Sequence, residues 1–335
     1  MNIPHTQIEA LRIFGYTEEE ARFLCLVATH SGYFVARQFL GFTGARWGKR
    51  TTLFWNKLRA RQHARTYRLA QGGTVHHLFS RRIYRQIGHE NLRNCREHEL
   101  DYIHTHIAML DFVLGHLDLH YLETEPDKVS YFSTELGIAA HHLPSKTYSG
   151  RHTVEPTIRY FVDCYPMFYP ASSSEPRVVT FTYLQGAETN LVRFVHHLRM
   201  YLPLFRELPE FRFLFLARED AHFAKACELF HDLVAIPLQS NPAEDLLRYF
   251  GIRKAWDLGK YTSLTEGDLI FRNLAKERFR GTRFEHFYRA WKVARLGDAK
   301  IRDDLRGSDK PHSVHFEACL LKAIGSADST SGEKQ

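Results

Sequence analysis

Between Ala21 and His89 the chain carries no aspartate or glutamate, a stretch of 69 residues that nevertheless holds 13 lysines and arginines. At the acid frequency of the whole chain, 38 in 335 residues, about 8 acids would be expected there. The deficit is local. Residues 1–100 hold 16 basic and 7 acidic side chains, whereas residues 101–335 hold 29 and 31. Positive charge gathered at one end of a chain points to a polyanionic partner, a nucleic acid or a membrane surface. The membrane is excluded as a span, because no apolar run approaches the ~18–20 residues needed to cross one. The N-terminus, MNIPHTQIEALRIFG, lacks the charged region and apolar block of a secretory signal. The five cysteines (Cys25, Cys95, Cys164, Cys227 and Cys319) are scattered, with no C-x-x-C pair, which suits reduced thiols and a cytoplasmic protein. Many histidines are sequence neighbours (His76/His77, His141/His142, His196/His197) and so point apart on a helix or strand. No metal site and no cofactor is expected from them. Also missing are G-x-x-x-x-G-K-[ST], G-x-G-x-x-G after a strand, H-E-x-x-H and G-x-S-x-G, the common signatures of nucleotide, zinc and serine chemistry.

What is present suits a folded protein: 44% hydrophobic and 13% aromatic residues exclude a disordered chain, and 335 residues suffice for two or three cores. The expected fold class is α+β and multidomain. Residues 1–92 read as a winged helix-turn-helix, 93–120 as a connecting helix, 121–240 as an α/β domain with a mixed sheet, 241–323 as a helical region and 324–335 as a disordered tail. In the first block, Thr6–Phe14, Thr17–His30, Phe34–Phe42 and Arg46–Arg61 are the expected helices, the second opened by Thr17 and three glutamates. Arg65–Leu69 and Val75–Phe79 then alternate as strands around a turn at Gln71-Gly72-Gly73-Thr74. The last three of these helices and a hairpin wing, in this order, make a winged helix.

The connector, Glu97–Leu119, places Leu100, Ile103, Ile107, Leu110, Leu114 and Leu117 at heptad spacing. That seam has two readings: packing against the chain's own core, or a homodimer helix. Asp127–Ile138, Thr157–Cys164, Val178–Leu184 and Phe211–Ala217 follow as β-rich runs, with helices at Glu188–Phe205 and Asp220–Phe230 and a last strand at Leu233–Pro237. Strand–helix–strand–helix–strand is the pattern of a parallel α/β element.

The helix Arg46–Arg61 is the expected reader of double-stranded DNA. Arg46, Lys49 and Arg50 stand at its start, followed by Thr51, Thr52, Asn56 and Lys57. Arg46 or Arg50 suits guanine and Asn56 suits adenine in the major groove. Thr51 and Thr52 suit phosphate oxygens. Arg59 and Arg61, with Arg65, Arg68 and His76 of the wing, extend the phosphate contacts, and no acid in the stretch cancels their field. A solvated basic face or a protein–protein module is the alternative reading of the same residues.

Several motifs together resemble the replication-relaxation family of plasmid and mobile-element proteins. They are Lys49-Arg50-x-x-Leu53 through Leu58, His98-Glu99-Leu100 at the connector, Phe161-Val162-Asp163, Val179 to Gly186, and Tyr201-x-Pro203-Leu204, spanning roughly residues 17–235. The resemblance implies a role in replication, maintenance or regulation of mobile DNA, and a second domain similar to the restriction-endonuclease-like fold. Active nucleases of that fold supply an Asp on one strand and Glu-x-Lys on the next. Asp163 matches the first acid. The following strand has Thr182 and Leu184 where acids would stand, and no lysine occurs from Thr147 to Ala224. Catalysis would need Mg2+, a second carboxylate from Glu135, Glu155 or Glu188, and Gln185 or Arg193 in place of the lysine. The expectation is therefore a degenerate, non-catalytic domain, with a metal-dependent nuclease using Asp163 as the alternative.

Overall fold

Thr17 and Glu20 fix the start of the first long helix. In the computed structural model, which describes residues 3–68, 73–149, 156–163, 165–171, 177–186, 190–239, 242–305 and 312–324, the Thr17 hydroxyl accepts from the Glu20 N–H at 3.3 Å. The Glu20 carboxylate accepts in return from the Thr17 N–H at 2.8 Å. This reciprocal cap satisfies two donors that a helix start leaves open. Helix α1 (His5–Arg12) packs on α2 (Glu18–His30), whose residues from Glu20 to His30 are buried apart from Arg22. Gly32 ends α2 with φ +78°; a Cβ there would lie 2.2 Å from the Asn94 carbonyl, so only glycine fits.

The two-residue strand β1 (Tyr33–Phe34) then leads into α3 (Ala36–Thr43) and α4 (Lys49–Ala60). Strands β2 (Ala64–Arg68) and β3 (Thr74–Leu78) form an antiparallel hairpin with register Ala64↔Leu78 to Arg68↔Thr74. Strand β1 joins it on the far side of β3, Tyr33 opposite His77. The expected wing turn falls largely on residues outside the described ones; Gly73 and Thr74 are described. Helix α5 (Arg81–Gln86) follows, and then α6 (Leu100–Gly115), the connector.

The connector's apolar seam is spent inside the chain. Ile107, Leu110 and Leu114 are buried, and Ile103 and Leu117 pack half-buried beside them. Only Leu100 stays exposed. The homodimer reading of these six positions is thus corrected: a second copy would find the seam occupied by α2, α3 and β1.

Beyond α6 lie β4 (Leu119–Tyr121), α7 (Glu125–Val129), the hairpin β5 (Ser145–Tyr148) and β6 (Thr157–Tyr160), then β7 (Met167–Pro170) and β8 (Thr180–Leu184). Helix α8 (Val192–Phe205) and strand β9 (Glu210–Ala217) come next, followed by α9 (Phe223–Phe230) and α10 (Ile236–Gln239). Helices α11 (Pro242–Asp257), α12 (Glu266–Arg278), α13 (Thr282–Lys292) and α14 (Asp298–Leu305) lead to β10 (Ser313–Leu320). The result is a mixed α+β fold around a five-stranded mixed sheet in the order β10-β9-β8-β7-β4. The β10, β9 and β8 neighbours are parallel; the β8–β7 and β7–β4 pairs are antiparallel.

Three expected elements differ. Asp127–Ile138 is not a strand but α7 and a π-helical turn at Ser130–Glu135, because Thr124 and Asp127 cap each other and nucleate a helix. Leu233–Pro237 is likewise helical, since Phe230, Val234 and Leu238 recur every fourth residue and bury one face. The third parallel strand is instead β10, inside the 241–323 segment expected to be helical throughout. It turns Val314, Phe316 and Ala318 inward at a period of two. The tail 325–335 lies outside the described residues, whereas Ile324 packs against the core.

Both sheet faces are covered, and this places the N-terminal block. Phe181, Tyr183, Phe213 and Phe215 meet α8, α9 and the following helical turns on one face. On the other, Phe168, Leu184 and Leu216 share one core with α2, α4 and α6. Helices α11–α14 form a smaller cluster of their own around Phe250, Phe279, Tyr288 and Ile301. No helix among the described residues is long and apolar enough to cross a membrane.

Candidate nucleic-acid interface

Helix α4 is locked from one side. Phe54 stacks on Phe39 with ring centroids 4.1 Å apart, and Phe54 and Leu58 are buried. Thr51 is buried with them; its hydroxyl donates to the Gly48 carbonyl at 2.7 Å and accepts from the Gly48 N–H at 2.9 Å, closing the helix start. The opposite side faces water and carries Lys49, Thr52, Leu53, Asn56 and Arg59, related by steps of three and four. Arg46 and Trp47 are exposed in the approach to the helix.

The sequence-expected DNA residues divide into three groups here. Arg46, Lys49, Arg59, Arg61 and Arg68 are exposed and have no acidic partner among the described residues, and Thr52 and Asn56 are exposed beside them. Arg50, Lys57 and Arg65 are held by carboxylates: Arg50 donates to Glu19 at 2.7 Å, Lys57 to Glu20 at 2.6 Å, and Arg65 to Glu97. The acid-free stretch is therefore not free of acids in space. The start of α2 and the approach to α6 bring three glutamates to it, and the expectation of an uncancelled field is corrected accordingly.

The third group is buried or half-buried. Thr51 belongs to the helix cap. His76 stacks on Trp55 at a centroid distance of 4.3 Å, and burial pushes its pKa down to about 4. It is neutral at pH 7 and supplies no charge to a phosphate; a strand histidine facing the helix was bound to be enclosed.

Two sets of exposed residues escaped the reading of the sequence. Trp47, in the approach to α4, and Leu53, on its outer stripe, are 64% and 49% exposed. Leu53 was findable, since it lies four residues after Lys49 and three before Asn56, on the outer stripe. Arg81, Arg82 and Arg85 of α5 are also exposed. Burial, with Arg61 and Arg82 nearby adding to it, lowers the His63 pKa to about 4.

Asp163 stands apart from all of this, in the core beside α8. Its Oδ2 lies 2.7 Å from Nδ1 of His197, and its Oδ1 accepts from the Tyr201 hydroxyl at 2.8 Å. Burial pushes its carboxyl up, but His197, Tyr201 and the Lys128 charge outweigh that and hold it below the usual aspartate range. Its two oxygens thus face two side chains of α8, the His197 ring and the Tyr201 hydroxyl. Of the further acids considered, Glu135 faces Arg177 at 3.3 Å. Glu155 and Glu188 lie outside the described residues. Gln185 and Arg193 line a separate cavity at the ends of β8 and β9. Among the described residues no cluster of His, Cys, Asp and Glu has the grouping to hold a metal ion.

No family model matches the chain, and no curated protein or solved structure matches it.

Proposed function

We propose that the chain binds double-stranded DNA, with α4 as the element that enters the major groove and the β2–β3 hairpin as a second contact. The single observation that carries this is the outer stripe of α4. Lys49, Thr52, Leu53, Asn56 and Arg59 are exposed together on a helix whose other face is locked into the core. The order α2, β1, α3, α4, β2, β3, with β1 added to the hairpin, supports it as the order of a winged helix. On such a helix Asn56 suits the adenine edge and Leu53 a thymine methyl, while Lys49 and Arg59 suit phosphates. Arg46, just before the helix, and Arg68, at the end of β2, are further exposed cations without acidic partners among the described residues.

Fluorescence anisotropy on mixed duplex DNA tests the reading. Neutralising about 5 phosphates gives a log–log salt slope of roughly −4.5. Lys49→Ala with Arg59→Ala lowers the affinity and flattens the slope by about 2. A weak, flat response that the double variant leaves unchanged would reject DNA binding. Selection of bound fragments from random duplex DNA returns the recognised sequence. The resemblance of the sequence motifs extends the proposal to replication, maintenance or regulation of plasmid or mobile DNA. Its test is whether selected sites recur near replication origins of such elements.

A protein partner is the second reading, favoured by the exposure of Trp47 and Leu53, since aromatic residues concentrate at protein interfaces. In that case Trp47→Ala abolishes partner capture and the salt slope stays near zero.

A further inference from the structure

We propose that the cavity at the carboxyl ends of β8 and β9 binds a phosphate-bearing small molecule with hydroxyl or amino donors at its other end, the class of nucleotides and sugar phosphates. The site goes beyond the DNA reading and does not depend on it.

Its place follows from topology. In a parallel pair the chain leaves both strands at the same end, so the β8 and β9 exits and the starts of α8 and α9 gather at one edge. Ligands of open α/β sheets sit in the crevice outside such strand ends. Here α8 and α9 cover one face and α6 the other, and the gap between them measures ≈ 630 Å³. That lies within the ~300–1,000 Å³ usual for small-molecule sites and far exceeds one inorganic anion. Gly186 lines the cavity opposite Thr105 of α6: a Cβ there would stand 3.9 Å from the Thr105 hydroxyl, an ordinary contact, so a larger side chain would project into the space.

The lining chemistry is two-sided. The Arg218 side chain, at the end of β9, has no hydrogen-bond or ion-pair partner among the described residues, and neither have the His104 and His222 rings. Arg193 stands in the first turn of α8. Asn190 accepts from the Val192 N–H at 3.1 Å, and the remaining first-turn N–H groups of α8 and α9 add to the cationic edge. Two acids, Asp101 on α6 and Glu219 beside Arg218, line the same space. A bare anion would leave both carboxylates facing it. A molecule with phosphate at one end and hydroxyl or amino groups at the other meets the arginines and the acids together.

The test uses the full chain and thermal melts with adenosine 5′-monophosphate, guanosine 5′-monophosphate, ribose 5-phosphate and inorganic phosphate. The expected result is a saturable rise in melting temperature with at least one organic phosphate, which inorganic phosphate at equal concentration does not reproduce. Arg218→Gln weakens that binding about tenfold or more, the size of one lost charge-assisted hydrogen bond. Arg218 is exposed and unpartnered, so the unliganded melt is unchanged. Gly186→Leu fills the space and removes the shift as well. No shift with any organic phosphate overturns the proposal. So does a shift that inorganic phosphate matches, or one that survives both substitutions. DNA affinity, measured separately, keeps the failure of this site distinct from the failure of the DNA reading.

Discussion

Arg50 is held by Glu19, a carboxylate 31 positions earlier in the chain. Both side chains are well exposed, so the pair contributes little to stability, on the order of 0.2–1 kcal/mol. Its consequence lies in binding, because a phosphate must displace Glu19 before Arg50 can reach it. Glu19→Gln is therefore expected to raise DNA affinity by about two- to fivefold, the equivalent of that pair energy. A loss of affinity in the same titration would mean that Glu19 positions Arg50 rather than competing for it. Asp163 presents the opposite case, a carboxylate committed inward. Asp163→Ala leaves the buried His197 and Tyr201 without their acceptor, and is expected to cost about 3–5 kcal/mol in urea unfolding. A variant of unchanged stability that loses a Mg2+-dependent plasmid cleavage would instead restore the nuclease reading.

At the scale of elements, the seam between α4, the β1–β3 sheet and α6 is crowded with enclosed imidazoles. His77 stacks on Tyr33 at 4.3 Å, and His98, Tyr102 and His106 form a ladder with 3.8 Å between successive rings. Burial lowers the pKa of His76 and His77 to about 4 and that of His106 to about 3, from an ordinary 6.5. A base whose folded pKa lies below its unfolded value is neutral when folded, and the unfolded chain binds the proton first. The stability contributed is whole above pH 6.5 and drains away as the pH falls toward 4. Melting temperature should therefore drop across that window, before the carboxylates titrate. His76→Phe keeps the stack on Trp55 and is expected to flatten the drop. A melting curve level from pH 7 to pH 4.5 would contradict the enclosed, neutral state of these rings.

Across the whole molecule, the N-terminal block and the sheet are one packed body. Asp111 of α6, nearly fully buried, accepts from both terminal nitrogens of Arg37 at 2.6 and 2.7 Å and from Gln38 at 2.9 Å. Arg37 also donates to the Ile324 carbonyl at 2.8 Å. One carboxylate thus ties α3, the connector and the end of the described chain together. Asp111→Ala is expected to cost about 3–5 kcal/mol, because it strands the paired guanidinium. Because the core is shared, the loss should appear by calorimetry as one earlier transition of block and sheet together. Two separated transitions, with only the first moved, would show that the block unfolds alone.

Local rules determined much from the sequence alone. The Thr17 cap, the helices of the first block, the hairpin and the alternating strands β8 and β9 were legible because propensity, capping and periodicity act over a few neighbours. So was the split of charge along the chain. What the tertiary structure decided depended on residues far apart. It set Glu19, Glu20 and Glu97 against three of the expected DNA cations and closed Trp55 over His76. It turned the Leu110 and Leu114 seam inward, and it brought Ser313–Leu320 back beside β9 after six helices. Coulomb forces and packing act through space, and no window along the sequence reports which distant surface will cover a charge or an apolar stripe. The ends of β8 and β9 carry the same lesson: Arg218 and Asp101 line one cavity only because parallel pairing gathers those ends beneath α6.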